Sequence, residues 1–262
     1  GQMLVGDVEL AHVVAVLEPI WATKTETATR VRQRIESVLA WATVSGYRHG
    51  ENPARWKGYL DQVLPKPSKI ARVRHFPALD WRDIGAFMAD LQKRSGVGAR
   101  ALEFAILTAA RSGEVRGATW DEIDLEEGIW TIPTGRMKVR REHRVPLSDA
   151  ALAVIQKMQN EVQSAYVFPG TNEAKPLSNM SMLMVLRRMG RQDLTTHGFR
   201  STFRDWASET TAYPHEVCEM ALAHTITNKA EAAYRRGDLF DKRSRLMQDW
   251  ANYCASGKSA TG

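Results

Sequence analysis

The chain has 262 residues, 44% hydrophobic and 25% charged, with a net charge of +6; one large or two modest globular domains are expected, and disordered or fibrous classes are excluded. No apolar run approaches the ~18 residues of a membrane span. The opening GQMLVGDVEL lacks the basic flank and apolar core of a secretory signal, and the cysteines Cys218 and Cys254 cannot build a disulfide framework, so a reducing, cytoplasmic setting is expected.

The positive charge is concentrated early. Residues 24–74 hold eleven Lys or Arg against four acids, whereas residues 1–23 hold three acids and no base. Such a segment suits a polyanion, because each cation that meets a phosphate releases counterions, although a solvated helix face carries the same signature. Residues 25–45 predict one long helix with Ala28, Val31, Ile35, Val38, Leu39 and Ala42 on a single face. Arg30 and Arg34 sit a turn apart on one flank and Arg32 on the other, with Gly46 as the C-terminal cap. Asn52-Pro53 opens a second helical stretch, ARWKGYLDQVL, and then periodicity fades into a basic, proline-rich run. The expected division is a small all-helical domain at 1–66, a basic linker at 67–79 and a second domain at 80–262.

The second domain begins with helices near 80–94 and 98–110. Between 128 and 147 the period changes: GIWTIP and HRVPL read as short strands around the basic turn TGRMKVRRE, giving a β-hairpin or small sheet. Helices are expected again at 149–161, 179–189, 198–209, 214–224, 228–235 and 239–253. The methionines from Met180 to Met189 read as core filling on one of them. The fold class is therefore mainly α with a small antiparallel sheet. Three tempting motifs fail. Gly96-Val97-Gly98-Ala99-Arg100-Ala101 matches a dinucleotide fingerprint, but it joins two helices rather than a strand and a helix. His215, Cys218 and His224 lack the paired short spacings of structural zinc, and Cys218 lies in an apolar pattern that suits a core thiol. Ser-His-Asp catalysis has no G-x-S-x-G support.

Five pieces remain. Arg111 leaves the apolar run FAILTAA with Glu114 three residues on, and alone would be a helix-terminal ion pair. Lys138 lies in the hairpin turn among Arg136, Arg140, Arg141 and Arg144. His197 and Arg200 are three apart at a helix start, on one face. His224 follows the run MALA, and Tyr234 lies ten residues further on. In this order, R…K…H-x-x-R…H…Y resembles the active-site pattern of the tyrosine site-specific recombinases. ARSGEVRGATWDEID, MKVRREHRVPLS, THGFRSTFRDWA and LAHTITNKAEAAYRR each resemble a box of that family. PIWATKTETATRVRQRIESVLAWA and ENPARWKGYLDQVLPK are similar to the core-binding domain of integrases from prophages and genomic islands.

The resemblance implies an α+β catalytic domain behind an all-α core-binding domain. It implies Tyr234 as nucleophile forming a 3′-phosphotyrosyl intermediate, Arg111, Arg200 and His224 on the non-bridging oxygens, His197 as base and Lys138 as acid. No carboxylate cluster with metal-ligand spacing accompanies the set, so these cations are expected to supply the positive charge without cofactor or metal. DNA contacts are expected from Arg30, Arg34, Lys66, Lys69, Arg72, Arg74, Arg136, Arg140 and Arg141. The implied partners are duplex attachment sites, three further copies in a homotetramer on DNA, a DNA-bending accessory protein and an excision factor, in a bacterial cytoplasm. Such integrases usually carry a further N-terminal arm-binding domain, and this sequence begins after the point where that domain would be expected to end. The apolar helix face formed by Leu239, Leu246, Met247, Trp250 and Tyr253 must pack in its own protomer or in a neighbour's, and the resemblance favours exchange between neighbours. A type IB topoisomerase or a non-catalytic DNA-binding regulator are the alternatives.

Overall fold

Two helices at i, i+4 spacing begin the chain. Val13, Leu17 and Trp21 line the buried side of α1 (Leu10–Trp21), and Ala28, Leu39 and Ala42 that of α2 (Thr25–Val44). The computed structural model describes residues 2–70, 77–137, 140–161, 163–224 and 237–256, and the chain divides into two units, Gly1–His75 and Phe76–Gly262. Among the described residues no helix is long and apolar enough to cross a membrane.

In the first unit α2 ends as expected. Gly46 takes φ +78°, its N–H reaches the Thr43 carbonyl at 3.2 Å, and Tyr47 N–H reaches that of Ala42 at 2.9 Å. Only glycine enters this left-handed cap without a Cβ penalty. Two details of the predicted face are corrected. Val38 is 58% exposed, because at 100° per residue it points about 90° away from the buried row. Arg32, expected on a flank, lies on that row and is buried; its Nη1 donates to Glu36 Oε2 at 2.6 Å and to the Ala54 carbonyl at 2.9 Å. The second helical stretch is also corrected: ARWKGYLDQVL forms turns and one 3-10 segment, Leu60–Gln62. Gly58 breaks the run with φ +83°, its N–H held by Asp61 Oδ1 at 2.9 Å. Trp56 instead stacks on Trp21 at 5.5 Å, and Trp21 Nε1 donates to the Pro65 carbonyl at 2.8 Å. The start of the expected linker forms a helical turn, α3 (Pro67–Ile70), with Ile70 against the core of the first unit. Residues 71–76 lie outside the described set.

The second unit is built around α5 (Val97–Thr108), buried from Ala99 to its end. The preceding α4 (Ile84–Gln92) turns into it through Gly96 at φ +93°, so GVGARA is a helix–helix turn. After the short α6 (Ser112–Arg116) come β1 (Ile123–Asp124), β2 (Ile129–Ile132) and β3 (His143–Pro146), an antiparallel sheet in chain order. Trp130 pairs with Val145 and Ile132 with His143, so Trp130, Ile132 and Val145 face the core. The two-residue β1 was not expected; it is too short to show a period. The remaining helices are α7 (Asp149–Glu161), α8 (Ser181–Arg188), α9 (Gly198–Thr210), α10 (His215–Ala221) and α11 (Phe240–Ala255). Met182 fills the core as expected, but Met180 and Met184 are exposed, which corrects half of the methionine reading. Cys218 is a buried thiol on α10. The helix expected at 228–235 lies outside the described residues.

The last helix packs on its own chain. Leu246, Met247, Trp250, Ala251 and Cys254 of α11 are buried in their own chain. Trp250 Nε1 donates to the Ile106 carbonyl at 2.9 Å, and its ring lies 5.0 Å from Trp206 and 5.5 Å from Phe203. The apolar face is thus covered within the protomer.

Candidate active site

Arg111 stands where α5 gives way to α6. Ala109 adopts φ +50°, a left-handed conformation unusual for alanine, and turns the chain sharply. Glu114 then holds Arg111 twice: Oε2 accepts the main-chain N–H at 2.9 Å and Oε1 accepts from Nη1 at 2.8 Å. The other guanidinium nitrogen, Nη2, reaches the Ala223 carbonyl at 3.0 Å. A planar fork fixed at both ends keeps little rotamer freedom to lose when an anion arrives.

Arg200 lies in the first turn of α9, with His197 at the N-cap. Gly198 between them permits a close crossing: a Cβ there would sit 2.1 Å from the Pro77 carbonyl oxygen. Thr202 Oγ1 ties the same strand of chain down at the Leu79 carbonyl, 2.7 Å away. Arg200 is only 6% exposed. Its Nη1 donates to the Ala109 carbonyl at 2.5 Å, its Nη2 donates to that of Leu222 at 2.6 Å, and Nη2 lies 3.1 Å from His224 Nε2. His224 follows Ala223, a second left-handed alanine at φ +49°. Both strained alanines therefore flank a candidate residue and present carbonyls to the two arginines. Strain of this kind persists where surrounding contacts over-determine it.

The cluster is electropositive, and its titration behaviour follows. Burial and then the Arg111 charge bring Arg200 down to about 10, still a cation at neutral pH. Burial, then Arg200, Arg111 and His224, hold His197 below its ordinary 6.5, so its imidazole is neutral at pH 7 and available to accept a proton. His143 on β3, which the sequence reading did not select, shares the environment. Burial, then Arg243 and Arg111, push it down to about 4 against the opposing charge of Asp238. It lines a cleft of about 290 Å³ with Arg141, Arg144, His224, Asp238 and Arg243. Arg243 is 1% exposed and donates to the carbonyls of Arg144 at 2.6 Å and Asp238 at 2.7 Å, and to Asp238 Oδ2 at 2.9 Å. It thereby anchors the chain four residues beyond Tyr234 to β3.

Of the expected site residues, Arg111, Glu114, His197, Arg200 and His224 come together; Lys138 and Tyr234 lie outside the described residues. Two other tyrosines are poorly suited to ionise. Burial and a 2.7 Å hydrogen bond to Asp249 push Tyr213 up to about 12, and burial raises Tyr253. Arg136, expected to face DNA, is corrected: it is turned inward onto the Glu122 carboxylate and the Glu114 carbonyl, supporting the Arg111 turn from below. Arg140 and Arg141 are exposed at the hairpin. In the first unit Arg34, Lys66 and Lys69 are exposed, Arg30 pairs with Glu26 at the surface, and Arg72 and Arg74 lie outside the described residues. Among the described residues no group of three His, Cys, Asp or Glu is placed to hold a metal ion. The arrangement gathers two fixed guanidiniums and two imidazoles, a set of donors suited to binding a phosphate and stabilising charge on its oxygens.

Known proteins resemble this chain. The profile described as "Phage integrase family" matches residues 78–238, and that of the "Phage integrase central domain" matches residues 1–59. The prophage integrase IntZ of Escherichia coli (strain K12) is 32% identical over 96% of this chain and 61% of its own length. The chain spans about three-fifths of the length of the curated relatives it matches. Among solved structures, a lambda integrase dimer bound to a COC′ core site superimposes with a TM-score of 0.63 at 17% identity, over 91% of this chain and 83% of that one. A lambda integrase tetramer bound to a Holliday junction gives 0.61 at 16% identity, over 86% and 66%. At these identities the likeness is one of fold.

Proposed function

Given that the chain belongs to the phage integrase family, we propose that it cuts and rejoins duplex DNA through a 3′-phosphotyrosyl intermediate, as the strand-exchange part of a prophage or genomic-island integrase. The observation that carries this reading is the convergence of Arg111, of His197 and Arg200, and of His224 from three separate chain segments, with both guanidiniums fixed by carbonyls. Attack on a phosphodiester spreads negative charge over the non-bridging oxygens, and a rigid pair of guanidiniums meets that charge without reorganising.

The roles follow. Tyr234 attacks phosphorus through its phenolic oxygen; the P–O5′ bond breaks, leaving a 3′-phosphotyrosine and a 5′-hydroxyl. A free phenol near pKa 10 is about one part in a thousand ionised at pH 7, so a proton acceptor is required. His197, neutral in this electropositive site, takes that proton. Lys138 protonates the departing 5′-oxygen, which a guanidinium, holding its proton more tightly, does poorly. Attack of a second 5′-hydroxyl reverses the step without ATP. Residues 1–66 would act as the core-type DNA-binding domain, 67–79 as linker and 80–262 as the catalytic domain, with exposed Arg30, Arg34, Lys66, Lys69, Arg140 and Arg141, together with Arg72 and Arg74, on phosphates. The solved relatives on a core site and as a tetramer on a junction support duplex DNA as substrate and a tetrameric synapse as the working assembly. An accessory bending protein, an excision factor and action at the bacterial nucleoid belong to the same reading.

Incubating the protein with nicked duplexes from its host's attachment region, in EDTA, tests it. A denaturation-resistant protein–DNA complex is expected. Cleavage that requires magnesium, or binding without any covalent product, would overturn it; the second outcome would favour a non-catalytic regulator.

A further inference from the structure

Glu219 is absent from every motif in the sequence, yet it holds His224 in two ways. Its carbonyl accepts the His224 main-chain N–H at 3.0 Å, closing the C-terminal turn of α10 over left-handed Ala223. Its carboxylate oxygen Oε2 lies 2.7 Å from His224 Nδ1. The other oxygen, Oε1, accepts from Arg204 Nε at 2.6 Å, and Arg204 stands one turn beyond Arg200 on α9. Arg204 is itself fixed by His215 Nδ1 at 2.6 Å and by Ser208. The carboxylate side chain is 22% exposed and that of His224 44%. Burial disfavours the ionised carboxylate, but the hydrogen bonds from His224 and Arg204 outweigh it and leave Glu219 below the ordinary carboxylate value.

A carboxylate against Nδ1 decides which imidazole nitrogen carries the fixed proton. With Nδ1–H donated to Glu219, Nε2 is turned toward Arg200, 3.1 Å away, where a non-bridging phosphate oxygen would be clamped. With Nδ1 committed to the carboxylate, Nε2 is the ring nitrogen left to meet that oxygen. We infer that Glu219 is a positioning residue for His224, fixing its ring orientation and tautomer for the phosphate, with Arg204 holding the carboxylate in place. The inference rests on the strand-cleavage reading for its catalytic consequence, but the tautomer itself does not depend on DNA.

Two measurements separate these levels. In 15N-histidine-labelled protein near pH 8, with His224 assigned by its loss in His224→Asn, the ring should carry its proton on Nδ1. In Glu219→Ala the proton should move largely to Nε2, the form a free imidazole prefers. An unchanged His224 spectrum would overturn the inference. On nicked duplex, Glu219→Ala should slow covalent-complex formation about 10- to 100-fold, what one charge-assisted hydrogen bond is worth in rate, with DNA affinity within a few-fold. Glu219→Gln, which keeps an acceptor for Nδ1–H without the charge, should recover part of that loss and shows that the effect is not misfolding. Equal rates for wild type and Glu219→Ala would overturn the inference and leave the cleavage reading standing. A wild type that forms no covalent complex, with the expected tautomer intact, would overturn the cleavage reading instead.

Discussion

His143 gives the site a measurable acid sensitivity. Its folded-state pKa of about 4 lies below the ordinary 6.5 because burial and the charges of Arg243 and Arg111 disfavour the imidazolium. A depressed histidine pKa means that the unfolded chain takes up a proton before the folded one does. The contribution is fully present above 6.5 and is lost as pH falls through 4. With about 1.4 kcal/mol for each pKa unit, the whole effect is about 3 kcal/mol, of which about 2 kcal/mol is gone by pH 5. His143→Gln removes the titration while keeping a polar side chain of similar reach on β3. Urea unfolding followed by tryptophan fluorescence, at several pH values from about 7.5 to 5, should show wild-type stability falling by about 2 kcal/mol more than that of the variant. His197, also depressed, adds a loss of the same sign to both proteins and cancels in the difference. Parallel stability curves would refute the assignment of an electropositive, burying environment to His143.

Trp250→Ala should cost about 3 to 5 kcal/mol in urea unfolding, because its fully buried ring and its hydrogen bond to Ile106 lie inside the protomer. Deleting residues 239–262 should accordingly impair single-site DNA binding and junction formation together; selective loss of junctions would restore exchange of the helix between neighbours. Gly198→Ala should lower Tm and cleavage together, since its Cβ would meet the Pro77 carbonyl at 2.1 Å and something must shift beside His197 and Arg200; a variant with wild-type Tm and rate would contradict the close crossing. Replacing Lys66 and Lys69 by Gln should make the log K against log salt plot of DNA binding shallower by about 1 to 2, whereas Arg32→Gln should leave the slope unchanged and reduce stability, because Arg32 is engaged by Glu36 and Ala54.

The sequence carried the helices because α2, α5 and α7 each repeat apolar residues at helical spacing over three or more turns. It carried Arg111, His197, Arg200 and His224 because each sits in a box with a recognisable neighbour pattern. What it hid has physical causes. A formal charge does not reveal its direction, so Arg32 and Arg136 counted as surface cations while folding turned both onto carboxylates and carbonyls. Glu219 and His224 are five residues apart, a spacing that never shares a helix face; only the left-handed Ala223 brings them together. His143 looked like one more polar residue in a basic hairpin until its pairing with Ile132 turned it into the cleft. An apolar face at α11 was legible, but an amphipathic pattern names no partner, and the aromatic pair Phe203 and Trp206 that receives Trp250 comes from sequence about 45 residues away on α9.

The proposed reaction joins DNA covalently to Tyr234. The covalent complex formed on a nicked duplex can be digested with protease and nuclease and the modified peptide sequenced by mass spectrometry. A nucleotide joined through its 3′-phosphate to Tyr234 is predicted, with no adduct in Tyr234→Phe. An adduct on Tyr213, Tyr253 or a serine, or a complex that persists in Tyr234→Phe, would contradict the account.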